Sequence, residues 1–187
     1  MSDLAQPAAP RNRWRIAAWM LALGLWLLPL VAQQFSTEMN WSVGDFVAWA
    51  IMLALAAGLF DLATRASGHG AFRLGAAVAI GTGFFITWSN LAVGIIGSED
   101  NPLNQIFFAV LAIAVFGALF VHFDAARLVR VMQVTAAAQV LTAIVALVVD
   151  GAYIFLITAV FVAAWLFAAE LFRRAAAATE ATARAAG

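Results

Sequence analysis

Leu74-Gly-Ala-Ala-Val-Ala-Ile-Gly-Thr-Gly-Phe-Phe-Ile-Thr-Trp-Ser-Asn-Leu-Ala-Val-Gly-Ile-Ile-Gly-Ser98 runs from Arg73 to Glu99 without a charge. About 20 mostly apolar residues suffice for a helix to cross the hydrocarbon core of a bilayer, and this run is longer. Its polar groups are small or amide-bearing. Ala76, Ala79, Gly83, Thr87, Asn90, Gly94 and Gly97 recur at three- and four-residue steps, which puts them on one face of a helix. Membrane helices pack through such faces because small side chains let backbones approach closely. The run therefore predicts a transmembrane helix that is the central one of its chain, with Ile86 on its lipid side.

Outward from this stretch, five more uncharged runs cover 16–37, 46–60, 101–123, 131–149 and 151–169. The second reaches spanning length only if it continues through Asp61 to Arg65. The first has a basic flank like a signal peptide, but it is too long for an h-region and lacks a small-residue cleavage site after it. Hydrophobic residues make up 65% of the 187 and charged ones 11%, against about 45–50% and about 25% in soluble domains. The expected fold class is all-α: a polytopic membrane protein with a six-transmembrane-helix bundle. The expected organisation is a disordered cytoplasmic N-terminus over 1–13, a single six-helix transmembrane domain over 14–174, and a cytoplasmic tail over 175–187.

Orientation follows from the basic residues, all ten of which are arginines. Arg11, Arg13 and Arg15 precede the first run. Arg65 and Arg73 flank the gap between the second and third, Arg127 and Arg130 that between the fourth and fifth, and Arg173, Arg174 and Arg184 follow the sixth. The alternate gaps hold no base, which is the positive-inside pattern with both termini cytoplasmic. Glu38, Asp45, Glu99, Asp100 and Asp150 then lie outside. The inner face sets ten arginines against Asp3, Asp61, Asp124, Glu170 and Glu180. The partners this implies are the lipid bilayer and anionic headgroups, each inner arginine contributing roughly 1 kcal/mol near the surface, and no nucleic acid. The arginine- and alanine-rich usage points to a bacterial inner membrane.

Composition also excludes chemistry. Cysteine is absent, which removes thiol catalysis and cysteine metal sites. Lysine is absent, which removes Schiff-base chemistry. His69 and His122 lie near inner helix ends, so no span carries a haem-binding histidine pair. No acid, base and nucleophile converge, and the expectation is that the chain is not an enzyme. Acid-then-arginine spacings recur at inner helix ends: Asp61 with Arg65, Asp124 with Arg127, and Glu170 with Arg173 or Arg174. The segments 60–65 and 123–127 echo one another there.

Two constellations are candidate sites. Thr87 and Asn90 on the third run, with Gln139 and Thr142 on the fifth, each fall on one helical face. They predict either interhelical hydrogen bonds or a polar ligand-binding site. At the outer end of the third run, Glu99, Asp100 and Asn101 are hard oxygen ligands of the kind Ca²⁺ or Mg²⁺ takes. The same residues also read as a capped turn, with Gly97 at a helix C′ position and Asn101-Pro102 opening the next helix. The run Asn90 to Pro102, N-L-A-V-G-I-I-G-S-E-D-N-P, resembles a family of small bacterial six-helix inner-membrane proteins with no known activity. In the first run, Pro29 frees the Leu25 carbonyl and kinks the helix, and Trp26 or Gln33 is expected to be linked to that kink.

The functional expectation is an integral inner-membrane protein that binds or transports a small solute, ion or lipid through the polar site on helices three and five. The alternative is a non-catalytic structural or accessory subunit, docking a membrane partner through the small-residue face of helix three. Homo-oligomers suit either reading. No cofactor is expected beyond a divalent cation at the outer loop.

Overall fold

The computed structural model describes residues 11–35 and 41–186. The expectations for residues 1–10 and for Glu38 therefore fall outside the described residues. Among those described, all regular structure is helical. The helices are α1 (Arg11–Ala32), α2 (Val43–Ala66), α3 (Gly70–Ala92), α4 (Gln105–Phe120), α5 (Ala125–Asp150) and α6 (Phe155–Ala186), with a 3₁₀ turn over Pro102–Asn104. All six are long and apolar enough to cross a membrane, α4 when counted with its 3₁₀ turn. α2 continues through Asp61 and Arg65 as spanning length required. α1 begins inside the segment 1–13, and α6 runs on through most of 175–187.

Local chemistry sets the ends. Ser42 Oγ accepts from the Asp45 N–H at 3.2 Å and the Asp45 carboxylate accepts from the Ser42 N–H at 2.8 Å, a reciprocal cap that starts α2. His69 Nδ1 accepts from the Ala71 N–H and starts α3. Asp124 Oδ1 accepts from the Arg127 N–H at 2.9 Å and starts α5. Asp124 thus caps a helix instead of pairing with the Arg127 guanidinium. Asp61, by contrast, lies inside α2, so the echo between 60–65 and 123–127 is not structural.

The chain divides into two compact units, Met1–Arg65 and Ala66–Gly187. In the first, α1 and α2 are tied at both ends. Arg15 of α1 pairs with Asp61 of α2, and Arg65 holds the same carboxylate at 2.6 Å. At the other end Trp26 Nε1 donates to the Phe46 carbonyl at 3.3 Å and Gln33 Nε2 to the Trp41 carbonyl at 3.2 Å. The Leu25 carbonyl accepts from Trp49 Nε1 at 2.9 Å. The partner of the freed carbonyl is therefore Trp49 of α2, while Trp26 and Gln33 bond to other carbonyls.

In the second unit α6 is the central helix, and it displaces α3 from that expected role. α6 packs on both α5 and α3, while α3 and α5 make little direct contact and α4 packs on α5. Ring contacts Phe72–Phe172 and Phe85–Phe161 set α3 antiparallel to α6. A Cβ at Gly75 would lie 3.2 Å from Leu171 Cβ and 3.3 Å from the Ala168 carbonyl oxygen. Glycine lets the two backbones meet there. The small face of α3 docks at Gly75 onto α6, whose own buried side carries Trp165, Ala168 and Phe172, and at Gly83 it lies nearest Leu111 of α4. Ile86 is fully buried, not turned to lipid. The α4–α5 connection is four residues, with His122 at φ 52° and Phe123 at φ 58°, a left-handed pair that costs such residues roughly 1–2 kcal/mol each.

Candidate polar site and the loop before α4

Of the four polar residues expected on α3 and α5, Asn90, Gln139 and Thr142 are buried and Thr87 is partly so. Each bonds within its own helix. Thr87 Oγ1 donates to the Gly83 carbonyl at 2.9 Å, and Asn90 Nδ2 to the Ile86 carbonyl at 3.0 Å. Thr142 Oγ1 donates to the Gln139 carbonyl at 2.7 Å and so uses its only hydrogen. Gln139 Nε2 then donates to that hydroxyl at 3.3 Å, which fixes the amide's orientation. The expected bonds between the α3 pair and the α5 pair are not formed, because α6 separates the faces that would have met.

What remains is a set of unused groups. Asn90 Oδ1 and Gln139 Oε1 are buried without a donor. α6 adds two more that sequence reasoning missed: Thr158 Oγ1 and Trp165 Nε1, buried and unpartnered. A signal for them was present. Thr158, Phe161, Trp165, Ala168, Phe172 and Ala175 recur at three- and four-residue steps and form the buried stripe of α6. A buried donor or acceptor left without a partner costs about 1–3 kcal/mol; Arg73 Nε, near the opposite end of α3 from Asn90, is a fifth such atom in this unit, and the four on neutral side chains call for an occupant.

Helix register places these groups in two tiers. The pairs Phe72–Phe172 and Phe85–Phe161, continued along antiparallel α3 and α6, bring Asn90 to within about 3–6 Å of the level of Thr158. Gln139 and Trp165 lie at similar distances from the α5–α6 turn, roughly 15–17 Å along each axis at about 1.5 Å per residue. Thr158 and Trp165 are seven residues apart on one face of α6, so the tiers are about 10 Å apart.

Beyond the Asn90–Thr158 tier lies the segment between α3 and α4. α3 ends at Ala92, and Gly94, at φ 72°, takes the left-handed position after the helix that was expected at Gly97. A Cβ on Gly94 would lie 2.3 Å from the Ser98 carbonyl group, so the loop closes only over glycine. Asn104 holds it. Its Oδ1 accepts from the Ile95 and Ile96 N–H groups at 3.1 and 2.8 Å, and its Nδ2 donates to the Ile96 and Ser98 carbonyls at 3.3 and 2.7 Å. All four bonds an amide can make are used, and Ile96 is pressed into the interior with no exposure.

Glu99 and Asp100 are exposed at the tip of this loop. Asn101 Oδ1 accepts from the Leu103 N–H at 3.0 Å, the cap expected before Pro102. Among the described residues there is no group of three or more His, Cys, Asp or Glu placed to hold a metal ion. His69 is a cap, and Glu170 pairs with Arg173 and Arg174 as its spacing indicated. No known protein family, curated protein or solved structure matches the chain.

Proposed function

We propose that this is a multi-pass bacterial inner-membrane protein, with both termini cytoplasmic, that binds or moves a small solute through a polar site in the unit Ala66–Gly187. The observation that carries the reading is the pair of buried amide oxygens, Asn90 Oδ1 and Gln139 Oε1, that no donor reaches. Amides serving only to join helices would be expected to bond across the interface. These two turn their donors back to their own helices and leave their acceptors unused. The reading is non-enzymatic. It is preferred to an accessory role through the small face of α3, because Gly75 and Ala76 of that helix are already buried within the chain.

The chain has no cysteine, so single cysteines report access cleanly. Asn90→Cys and Gln139→Cys, reconstituted in liposomes, should react with a small polar methanethiosulfonate reagent added from one side. Ala143→Cys, on a fully buried apolar position of α5, should not. Equal protection of all three would mean a dry packed interior and would remove the solute reading.

A further inference from the structure

We infer that the occupant of this site is an uncharged solute carrying both an N–H or O–H donor and an acceptor, taken in turn by Asn90 with Thr158 and by Gln139 with Trp165. The inference rests on the solute-binding reading above and narrows it to a ligand class. Its first support is the inventory of unused groups. Asn90 Oδ1 and Gln139 Oε1 can only accept, so each requires a donor from the guest. Trp165 Nε1 can only donate, so it requires an acceptor. Thr158 Oγ1 does either. Amides, ureas and polyols carry this mixture; hydrocarbons and simple ions do not.

The second support is electrostatic. Among the described residues of Ala66–Gly187, no charged residue is buried as a whole, and the buried Arg73 Nε lies about 25 Å by rise from Asn90, toward the other end of α3. The acid nearest to Trp165 along α6 is Glu170, about 7.5 Å further on by rise, and Arg173 and Arg174 already neutralise it. An ion taken out of water costs several kcal/mol unless a counter-charge meets it. No charged residue stands at either tier to meet one. Neutral amide and hydroxyl dipoles instead repay the desolvation of a neutral guest bond for bond. The two-tier spacing lets a small guest occupy one tier at a time, with the shared face of α6 joining them.

Matched pairs of solutes separate charge from shape. Acetamide and acetate are near-isosteric, as are urea and guanidinium, and each pair differs in charge. Saturation-transfer NMR would measure their binding to the full-length protein in nanodiscs. Acetamide and urea should show saturation that Gln139→Leu and Trp165→Phe reduce at least tenfold, while acetate and guanidinium show none. Thr158→Val is a near-isosteric change at an unpartnered hydroxyl, so its fold should persist and its acetamide signal should weaken severalfold. If acetate or guanidinium binds as well as its neutral partner and Gln139→Leu removes that binding, the neutral class is wrong and the solute site stands. If none of the four binds although Gln139→Cys is reagent-accessible, water alone fills the groups and the ligand inference is overturned. If none binds and Gln139→Cys is protected, the solute reading falls with it.

Discussion

Trp49 donates its indole N–H to the carbonyl of Leu25 at 2.9 Å, and that carbonyl is free because Pro29, four residues on, has no N–H to give it. The bond crosses from α2 to α1 and repairs a defect that α1 carries in its own sequence. A helix long and apolar enough to cross a membrane has little water at hand to do so, and neighbouring helices must meet such groups. Packing around it is aromatic: Trp41 stacks edge-on against Trp49, with ring centroids 6.1 Å apart.

The two residues should therefore be energetically coupled. Trp49→Phe removes the donor and should destabilise the protein by about 1–2 kcal/mol, because the Leu25 carbonyl is left bare. Pro29→Ala restores the helix's own donor. In that background Trp49→Phe should cost about 1 kcal/mol less, a difference that a double-mutant cycle resolves. Equal costs in both backgrounds, measured by thermal denaturation in detergent, would mean that the indole packs without serving the carbonyl.

The loop before α4 gives a contrast between charge and amide. Glu99 and Asp100 are its conspicuous residues, yet they are exposed, whereas Asn104 is buried and makes four bonds. Asn104→Leu should cost about 2–4 kcal/mol, since it strands the Ile95 and Ile96 N–H groups. Glu99→Gln with Asp100→Asn should leave the melting temperature within error. A large loss from the double neutralisation and none from Asn104→Leu would invert this account of what holds the loop.

Much of the fold was legible because hydropathy and charge act locally. Uncharged runs located six helices, and the spacing of Asp61 to Arg65 and of Glu170 to Arg173 and Arg174 predicted the ion pairs. What was not legible depends on which helix meets which. The small stripe of α3 marks a close contact but does not name its partner, so α6 went unnoticed as the hub, and Arg15 went unnoticed as the second base on Asp61. Gly94 and Gly97 both suit a left-handed turn, and only the bonds to Asn104 decide where α3 stops. The candidate site was half visible for the same reason: amides stand out in an apolar run, whereas Thr158 and Trp165 look like ordinary helix residues until a neighbour fails to meet their polar atoms.

Helix docking at Gly75 follows from its geometry. A methyl group there would press on Leu171, Phe172 and the Ala168 backbone, while one at Gly81 meets nothing within 4 Å. Gly75→Ala should destabilise by about 1–3 kcal/mol through overpacking. Gly81→Ala should be neutral or stabilising by about 1 kcal/mol, the ordinary helix-propensity gain. Equal melting temperatures for the two variants would place α3 and α6 further apart than described.

Orientation rests on the arginines. The loop residue His69 lies between Arg65 and Arg73, and Glu99 lies in a gap with no base. Both are exposed, so both are chemically accessible from whichever side they face. Glu99→Cys in intact cells should react with an impermeant maleimide, and His69→Cys should react only after the membrane is opened. The absence of native cysteine leaves no background labelling. Ten positive charges held on one side against the insertion bias would be needed for the opposite topology. Labelling of His69→Cys in intact cells, with Glu99→Cys protected, would overturn the cytoplasmic placement of both termini.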